Sequence, residues 1–159
     1  MKLLLLISLL FASNVQKSHL SNDYKTYCNS RFGYCIDYPT FLTPNPESEN
    51  GDGRVFVNKE NAKVLTVYGR LNQDADGNPI SLKMQYSLDI QNLTSSRTKI
   101  TYKKLGKDFY VVSGERNKKI FYQKMIIKND AYCYSILEYN KLAKGIYDSV
   151  SVSIFKSFK

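Results

Sequence analysis

The chain has 159 residues, of which 43% are hydrophobic and 13% aromatic, and it carries a formal net charge of +9. This length suits one domain with a sizeable core. The single histidine, His19, lies in a polar stretch near the N-terminus, which argues against histidine-based catalysis and histidine metal sites. The three cysteines show no C-x-x-C spacing, which excludes thioredoxin-type redox chemistry and zinc ribbons.

The N-terminus predicts a signal peptide over residues 1–16. Lys2 precedes an apolar run, Leu3–Ala12, that is too short to cross a bilayer. We therefore expect an exported protein, periplasmic or secreted, without a transmembrane segment. Residues 17–27 are polar and predict a flexible lead-in, so residues 28–159 form the predicted domain.

The three cysteines of an exported chain are candidates for a disulfide. The sequence leaves three outcomes open: a Cys28–Cys35 bond, a Cys35–Cys133 bond, or no bond at all.

Alternating apolar residues predict strands in the first half of the domain. Ser30–Pro39 alternates in this way and ends at a proline, which suits a strand terminus. A long loop rich in proline and glycine follows. Two further predicted strands are Val55–Val57 and Val64–Leu71.

The segment from Ile80 to about Leu93 predicts a helix, because its apolar residues fall at helical spacing. Asn78 is the expected cap and Pro79 suits the first turn. The predicted stripes are Ile80, Met84 and Leu88, with Leu82, Tyr86 and Leu93 beside them. A short strand over Lys99–Leu105 is predicted next.

Three strands in a meander organise the second half: Asp108–Gly114, Ile120–Lys128 and Ala131–Tyr139. Aromatic and β-branched residues favour strands here. Asn129 and Asp130 predict a tight hairpin turn, and Glu115 to Lys119 predict a wider one. Each strand has an apolar face and a mixed face, which indicates an antiparallel sheet with one covered side and one partly wet side.

The C-terminal segment fits two patterns. Val150, Val152 and Ile154 alternate as in a strand, but Tyr147, Val150, Ile154 and Phe158 fall at helical spacing. We predict a helix capped by Asp148. The element order then indicates an α+β domain with a central antiparallel sheet of about six strands flanked by two helices.

Five segments carry a resemblance to known proteins. They are RFGYCIDYP (31–39), ENGDGRVFVNKENAKVLTVYG (49–69), LGKDFYVVSG (105–114), IFYQKMII (120–127) and SIFKSF (153–158). Together they resemble a family of small exported bacterial proteins of uncharacterised function. The element order is in turn similar to the PsbP-like fold, known from the extrinsic PsbP subunit of photosystem II and from a Ran-binding import factor. The resemblance implies a central antiparallel sheet flanked by helices and a non-enzymatic binding or accessory role, and it supplies no catalytic residues.

A glycine-rich turn, Glu49 to Arg54, is the first candidate ligand loop. The two glycines around Asp52, Gly51 and Gly53, could present backbone N–H groups to an anion, with Arg54 as counter-charge. The alternative is a tight turn before a strand.

A second loop partly matches a calcium-binding pattern. Asn72, Asp74, Asp76 and Gly77 fit its first positions, but Lys83 stands where the bidentate glutamate belongs. Asp, Asn and Gly are also ordinary turn residues, so we expect no metal and no cofactor.

Basic residues interleaved with tyrosines are candidates for a polyanion-binding face. Its candidates are Lys103, Lys104, Lys107, Lys118, Lys119, Tyr110 and Tyr122. Export argues against nucleic acid as the partner and favours an anionic envelope component. The alternative is solubility and protection of exposed strand edges.

The sequence contains no recognisable catalytic constellation. We therefore expect an exported, monomeric, non-enzymatic binding or accessory protein whose partner is an unknown protein or an anionic envelope component. The alternative hypothesis is a polyanion- or envelope-surface-binding protein that uses the lysine- and tyrosine-rich face.

Overall fold

The computed structural model describes residues 23–94 and 97–159. The predicted signal peptide and the first part of the predicted lead-in, residues 17–22, lie outside the described residues.

The described residues form two α-helices and nine strands, in the α+β arrangement that was predicted. The strands are β1 (Tyr24–Cys28), β2 (Cys35–Pro39), β3 (Thr43–Pro44), β4 (Gly53–Val57), β5 (Lys63–Leu71), β6 (Lys99–Leu105), β7 (Phe109–Arg116), β8 (Lys119–Lys128) and β9 (Ala131–Asn140). The helices are α1 (Leu82–Thr94) and α2 (Lys144–Ser157), and a 3-10 turn (Lys141–Ala143) precedes α2.

The central sheet has seven antiparallel strands in the order β3-β4-β5-β9-β8-β7-β6, and β1 and β2 form a separate two-stranded sheet. The prediction of about six strands is therefore too low. The lead-in predicted to reach residue 27 is also wrong from Tyr24 onward, where β1 begins. Only Tyr27 of β1 is buried, so this strand has little of the apolar alternation that marks a strand in a sequence.

The two hairpins of the meander both use two-residue turns. Asn129 and Asp130 have φ values of 48° and 55°, which confirms the predicted tight turn. The wider turn predicted before β8 is wrong, because Asn117 and Lys118 form an equally tight connection with φ values of 50° and 64°. Lysine seldom adopts positive φ, so a lysine at position 118 does not indicate a two-residue turn.

Helix α1 begins later than predicted. Its first turn is capped by Ser81, whose Oγ accepts a hydrogen bond from the Met84 N–H at 3.2 Å, and not by Asn78. Met84 is 55% exposed, so its predicted place on the inner stripe is wrong. The face toward the sheet carries Leu82, Tyr86, Ile90 and Leu93.

The predicted C-terminal helix is confirmed, and Tyr147, Val150 and Ile154 form its buried side. Asp148 is not its cap, because the helix already begins at Lys144. Asp148 instead accepts a hydrogen bond from the Tyr139 hydroxyl.

Both faces of the central sheet carry apolar clusters. One cluster lies between the sheet, β1–β2 and α2, and includes Tyr34, Ile36, Phe56, Leu65, Leu137, Ile154 and Phe158. The other lies under α1 and includes Tyr110, Val112, Phe121, Met125, Tyr132 and Tyr134.

A disulfide joins Cys28 to Cys35, one of the outcomes that the sequence left open. The two residues face each other in the β1–β2 register, so the bond closes this hairpin. Cys133 keeps its thiol and is fully buried.

We expect the Cys133 thiol to be almost inert toward iodoacetamide in the folded protein. Burial raises its pKa from 9.0 to about 12, and the thiolate is the reacting form. At mildly alkaline pH this lowers the thiolate population about 1,000-fold. Mass spectrometry should show alkylation of Cys133 only after unfolding. Equal labelling rates with and without denaturant would contradict the buried position.

We expect stability to fall steeply in alkali, because burial raises the pKa of many tyrosines above the ordinary value of 10.0. Below that value the phenols are neutral in both states. Above it the unfolded chain ionises first, so stability is lost as the pH rises through the folded pKa values, by about 1.4 kcal/mol per pH unit for each such tyrosine. The pKa of Tyr68 rises to about 12. The others with raised pKa values are Tyr27, Tyr34, Tyr110, Tyr132, Tyr134, Tyr139 and Tyr147.

The measurement is a spectrophotometric phenolate titration beside urea unfolding at each pH. Phenolate should appear late, together with unfolding. If all tyrosines titrated near their ordinary pKa while the protein remained folded, the raised pKa values of these buried tyrosines would be contradicted.

Candidate functional site: a groove between α2 and the outer strands

The layer formed by β1–β2 and α2 does not extend across the whole sheet. Helix α2 lies against β2, β9 and β8, whereas β7 and β6 continue the sheet beyond it. Among the described residues, this leaves a groove between α2 and the outer part of the same sheet face.

The groove has a volume of about 580 Å³ and is mainly apolar. Its floor is built by residues that alternate along three strands and so point to one face. The floor residues are Tyr102 of β6, Phe109, Val111 and Ser113 of β7, and Tyr122 and Lys124 of β8. The wall is the side of α2 that carries Ser151, Val152, Phe155 and Lys156.

Large apolar side chains are exposed at the groove. Val152 is 72% exposed and Tyr102 is 51% exposed, while Phe109, Val111 and Phe155 are half-buried. A contiguous apolar surface of this kind, bordered by polar residues, is typical of an interaction site.

Lys124, on the floor of the groove, is bonded to the end of α2. Its Nζ donates hydrogen bonds to the backbone carbonyl oxygens of Phe155 at 2.7 Å and Phe158 at 3.0 Å. Burial lowers the pKa of Lys124, and the negative charge of Asp108 opposes this effect. Because its ammonium is bonded to the end of α2, Lys124 is a structural residue and not a free cation for a ligand.

The border of the groove is positively charged. Lys156 lies on the α2 side, and the Nζ of Lys104 lies 6.0 Å from the centre of the Phe109 ring on the β6 side. Among the described residues that line the groove, none is Asp or Glu. The local field therefore favours a negatively charged partner.

The predicted basic face is not one surface. Lys103, Lys104 and Lys107 are exposed on β6 and on the turn that follows it. Lys118 and Lys119 lie at the other end of β7, where Lys119 pairs with Glu138 at 2.9 Å.

The two tyrosines of that predicted face lie on opposite sides of the sheet. Tyr110 is fully buried under α1, where its hydroxyl donates to Asp89 and accepts from Gln123 at 2.7 Å. Tyr122 is half-buried in the groove.

In the predicted ligand loop, the backbone N–H groups donate hydrogen bonds to acceptors within the loop itself. The Gly53 N–H donates to Ser48 Oγ at 3.0 Å, and the Asp52 N–H donates to Asn50 Oδ1 at 3.3 Å. The Gly51 N–H donates to the Ser48 carbonyl oxygen at 2.8 Å. These bonds are typical of a tight turn and direct the three N–H groups into the loop.

Arg54 lies beside the same loop but is directed toward the core. Its guanidinium carbon lies 4.8 Å from the centre of the Tyr27 ring, a cation–π distance. Asp52 and Arg54 both border a shallow cavity of about 350 Å³, which is smaller and more polar than the groove.

The calcium-like loop is also a closed turn. Asp74 Oδ1 accepts hydrogen bonds from the N–H groups of Asp76 at 3.0 Å and Asn78 at 2.8 Å. Hydrogen bonds from Asn78 lower the pKa of Asp74. Within residues 23–94 and 97–159, no three Asp, Glu, His or Cys side chains are grouped so that they could hold a metal ion.

The groove was missed at the sequence level, although one signal for it was present. Val152 fits the strand-like alternation of the C-terminal segment but not its helical stripe. An apolar residue off the buried stripe of a helix points away from the core. In the structure, Val152 lies on the exposed side of α2.

No helix within the described residues is long and apolar enough to span a bilayer. No protein-family model matches the chain, and no curated protein matches it. A solved structure does match: the solution structure of cyanobacterial PsbP (CyanoP) from Synechocystis sp. PCC 6803, with a TM-score of 0.64 and 11% sequence identity. The match covers 87% of this chain and 92% of that chain. At this identity the likeness shows the fold, and the chain has a PsbP-like α+β fold.

Proposed function

We propose that this protein is an exported, non-enzymatic binding or accessory module that holds a partner protein in the groove between α2 and β6–β7. The observation that carries the proposal is the exposed apolar surface of the groove, with lysines at its border.

The chemistry of the groove supports binding over catalysis. A catalytic pocket needs convergent polar groups that are free to act on a substrate. Here the Lys124 ammonium is bonded to the end of α2, and the Ser151 hydroxyl donates to the Asp148 carbonyl oxygen at 3.0 Å. What the groove offers a ligand is therefore mostly apolar area.

Two features support export. The first is the short apolar run Leu3–Ala12 behind Lys2. The second is the Cys28–Cys35 disulfide, since disulfides persist mainly in oxidising compartments.

A second candidate function is binding of an anionic envelope component. It is supported by Lys103, Lys104 and Lys107, which remain exposed together at one edge of the sheet. The two functions differ in salt dependence, because screening weakens a charge-driven contact far more than an apolar one.

The test compares two exposed apolar positions. Val152 lies in the groove, and Leu142, which is 96% exposed, lies in the 3-10 turn and serves as the matched control. Residues 17–159 carrying either Val152→Asp or Leu142→Asp are immobilised, and envelope and secreted proteins of the producing organism are eluted in salt steps. We expect Val152→Asp to weaken retention of the partner at least about tenfold, because a carboxylate would be buried in an apolar contact. Leu142→Asp should retain it like the wild type.

Retention that survives Val152→Asp would contradict the groove as the binding surface. Elution of only heterogeneous anionic material at low salt, equally from all three proteins, would favour the second candidate function.

A further inference from the structure

We infer that the groove receives an acidic, amphipathic α-helix of the partner protein. This inference rests on the proposed function and specifies the shape and charge of the bound segment.

The width of the groove matches one helix. Neighbouring strands lie about 4.8 Å apart, so β7 and β6 together present a strip about 10 Å wide. An α-helix with its side chains is about 10 Å across. Since α2 itself lies over the adjacent pair β9 and β8, one more helix beside it would complete the layer.

The length of the strip sets the length of the bound segment. β7 has eight residues and spans about 26 Å. A helix lying along it would need about 17 residues to cover the same distance.

The exposed side chains suit the apolar face of such a helix. Val152 and Phe155 lie one turn apart on α2 and form one wall. Tyr102 and Val111 form the floor on the opposite side. A helix with apolar residues spaced three and four apart would contact the wall and the floor at the same time.

The charge at the border selects an acidic helix. Lys104, paired with Val111 in the sheet, and Lys156 flank the strip, and Lys107 lies in the turn that follows β6. Acidic residues on the flanks of a bound helix would lie near these cations.

Charge also argues against two other candidates for the groove: a second copy of this chain and the chain's own N-terminal residues. A second copy would bring the same lysines, in a chain of net charge +9, against the groove. The N-terminal residues 1–22 contain Lys2 and Lys17 but no carboxylate side chain, so they lack the complementary charge.

The edge of β6 is a poor template for an added strand. Its pairing with β7 shifts register between Ile100 and Tyr102, and such a bulge interrupts the regular backbone ladder. Lys99, Lys103 and Lys104 further protect this edge. A helix in the groove is therefore favoured over a strand at the edge.

The experiment is a selection from a random library of displayed peptides about 18 residues long, against residues 17–159. We expect enriched peptides to be net negative, with apolar residues at helical spacing, and to perturb the amide NMR signals of Val111 and Val152. Enrichment of alternating patterns, or of neutral or basic peptides, would overturn the inference.

Charge reversal provides a second readout. The double variant Lys104→Glu, Lys156→Glu should weaken an enriched acidic peptide about tenfold. Lys25→Glu, at an exposed lysine of β1, is the matched control and should leave the affinity unchanged. Equal affinities for all three proteins would overturn the acidic assignment.

Failure of the inference and failure of the proposed function are distinguishable. Some enriched peptides could lose affinity for the Val152→Asp variant and yet be neither helical nor acidic. That result would support the groove as the binding surface and overturn only the inference of an acidic helix. If no enriched peptide responds to Val152→Asp, both are overturned.

Discussion

The contact between the Lys124 ammonium and the last carbonyl groups of α2 determines where the covering layer ends. A buried ammonium is costly unless it is hydrogen-bonded, and the C-terminal end of a helix, with its partial negative charge, is a favourable partner. Backbone bonds between Cys35 and Lys159, at 2.9 and 3.2 Å, hold the same end of the chain against β2. These bonds attach the end of α2 to β2 and β8, so the helix ends short of β7 and β6. The groove is a direct consequence of this fixed position.

The opposite face of the sheet is stabilised by different chemistry. There α1 packs on tyrosines whose hydroxyl groups bond to the helix: Asp89 accepts from Tyr110 and from Tyr134 at 3.0 Å, and from Gln85 Nε2 at 2.9 Å. A tyrosine gives apolar area to the core and a polar group to the helix. The same dual use recurs on the other face, where the buried Tyr139 donates to Asp148 of α2. It also explains why a tyrosine that looks like a surface residue in an alternating pattern, such as Tyr110, is buried.

The sequence predicted those elements whose residues repeat with a clear period. The strands of the meander and the buried side of α2 follow from alternation or helical spacing. It failed where a rarer conformation or a tertiary contact decides the outcome, as in the positive φ of Lys118 and in β1, which depends on pairing with β2. Val152 marks one exposed apolar position on α2, but the groove itself depends on the position of α2 relative to β7, which no local pattern encodes.

Exposed apolar area in a groove creates a conflict between solubility and recognition. Without charge nearby, side chains such as Val152 and Tyr102 would favour association between copies of the chain. Lysines at the border and along β6 oppose that association by like-charge repulsion. The same lysines would attract the proposed partner of opposite charge, and the apolar groove would then supply most of the contact area. One set of residues can therefore keep the free protein dispersed and make the groove selective, because both effects depend on the sign of the approaching charge.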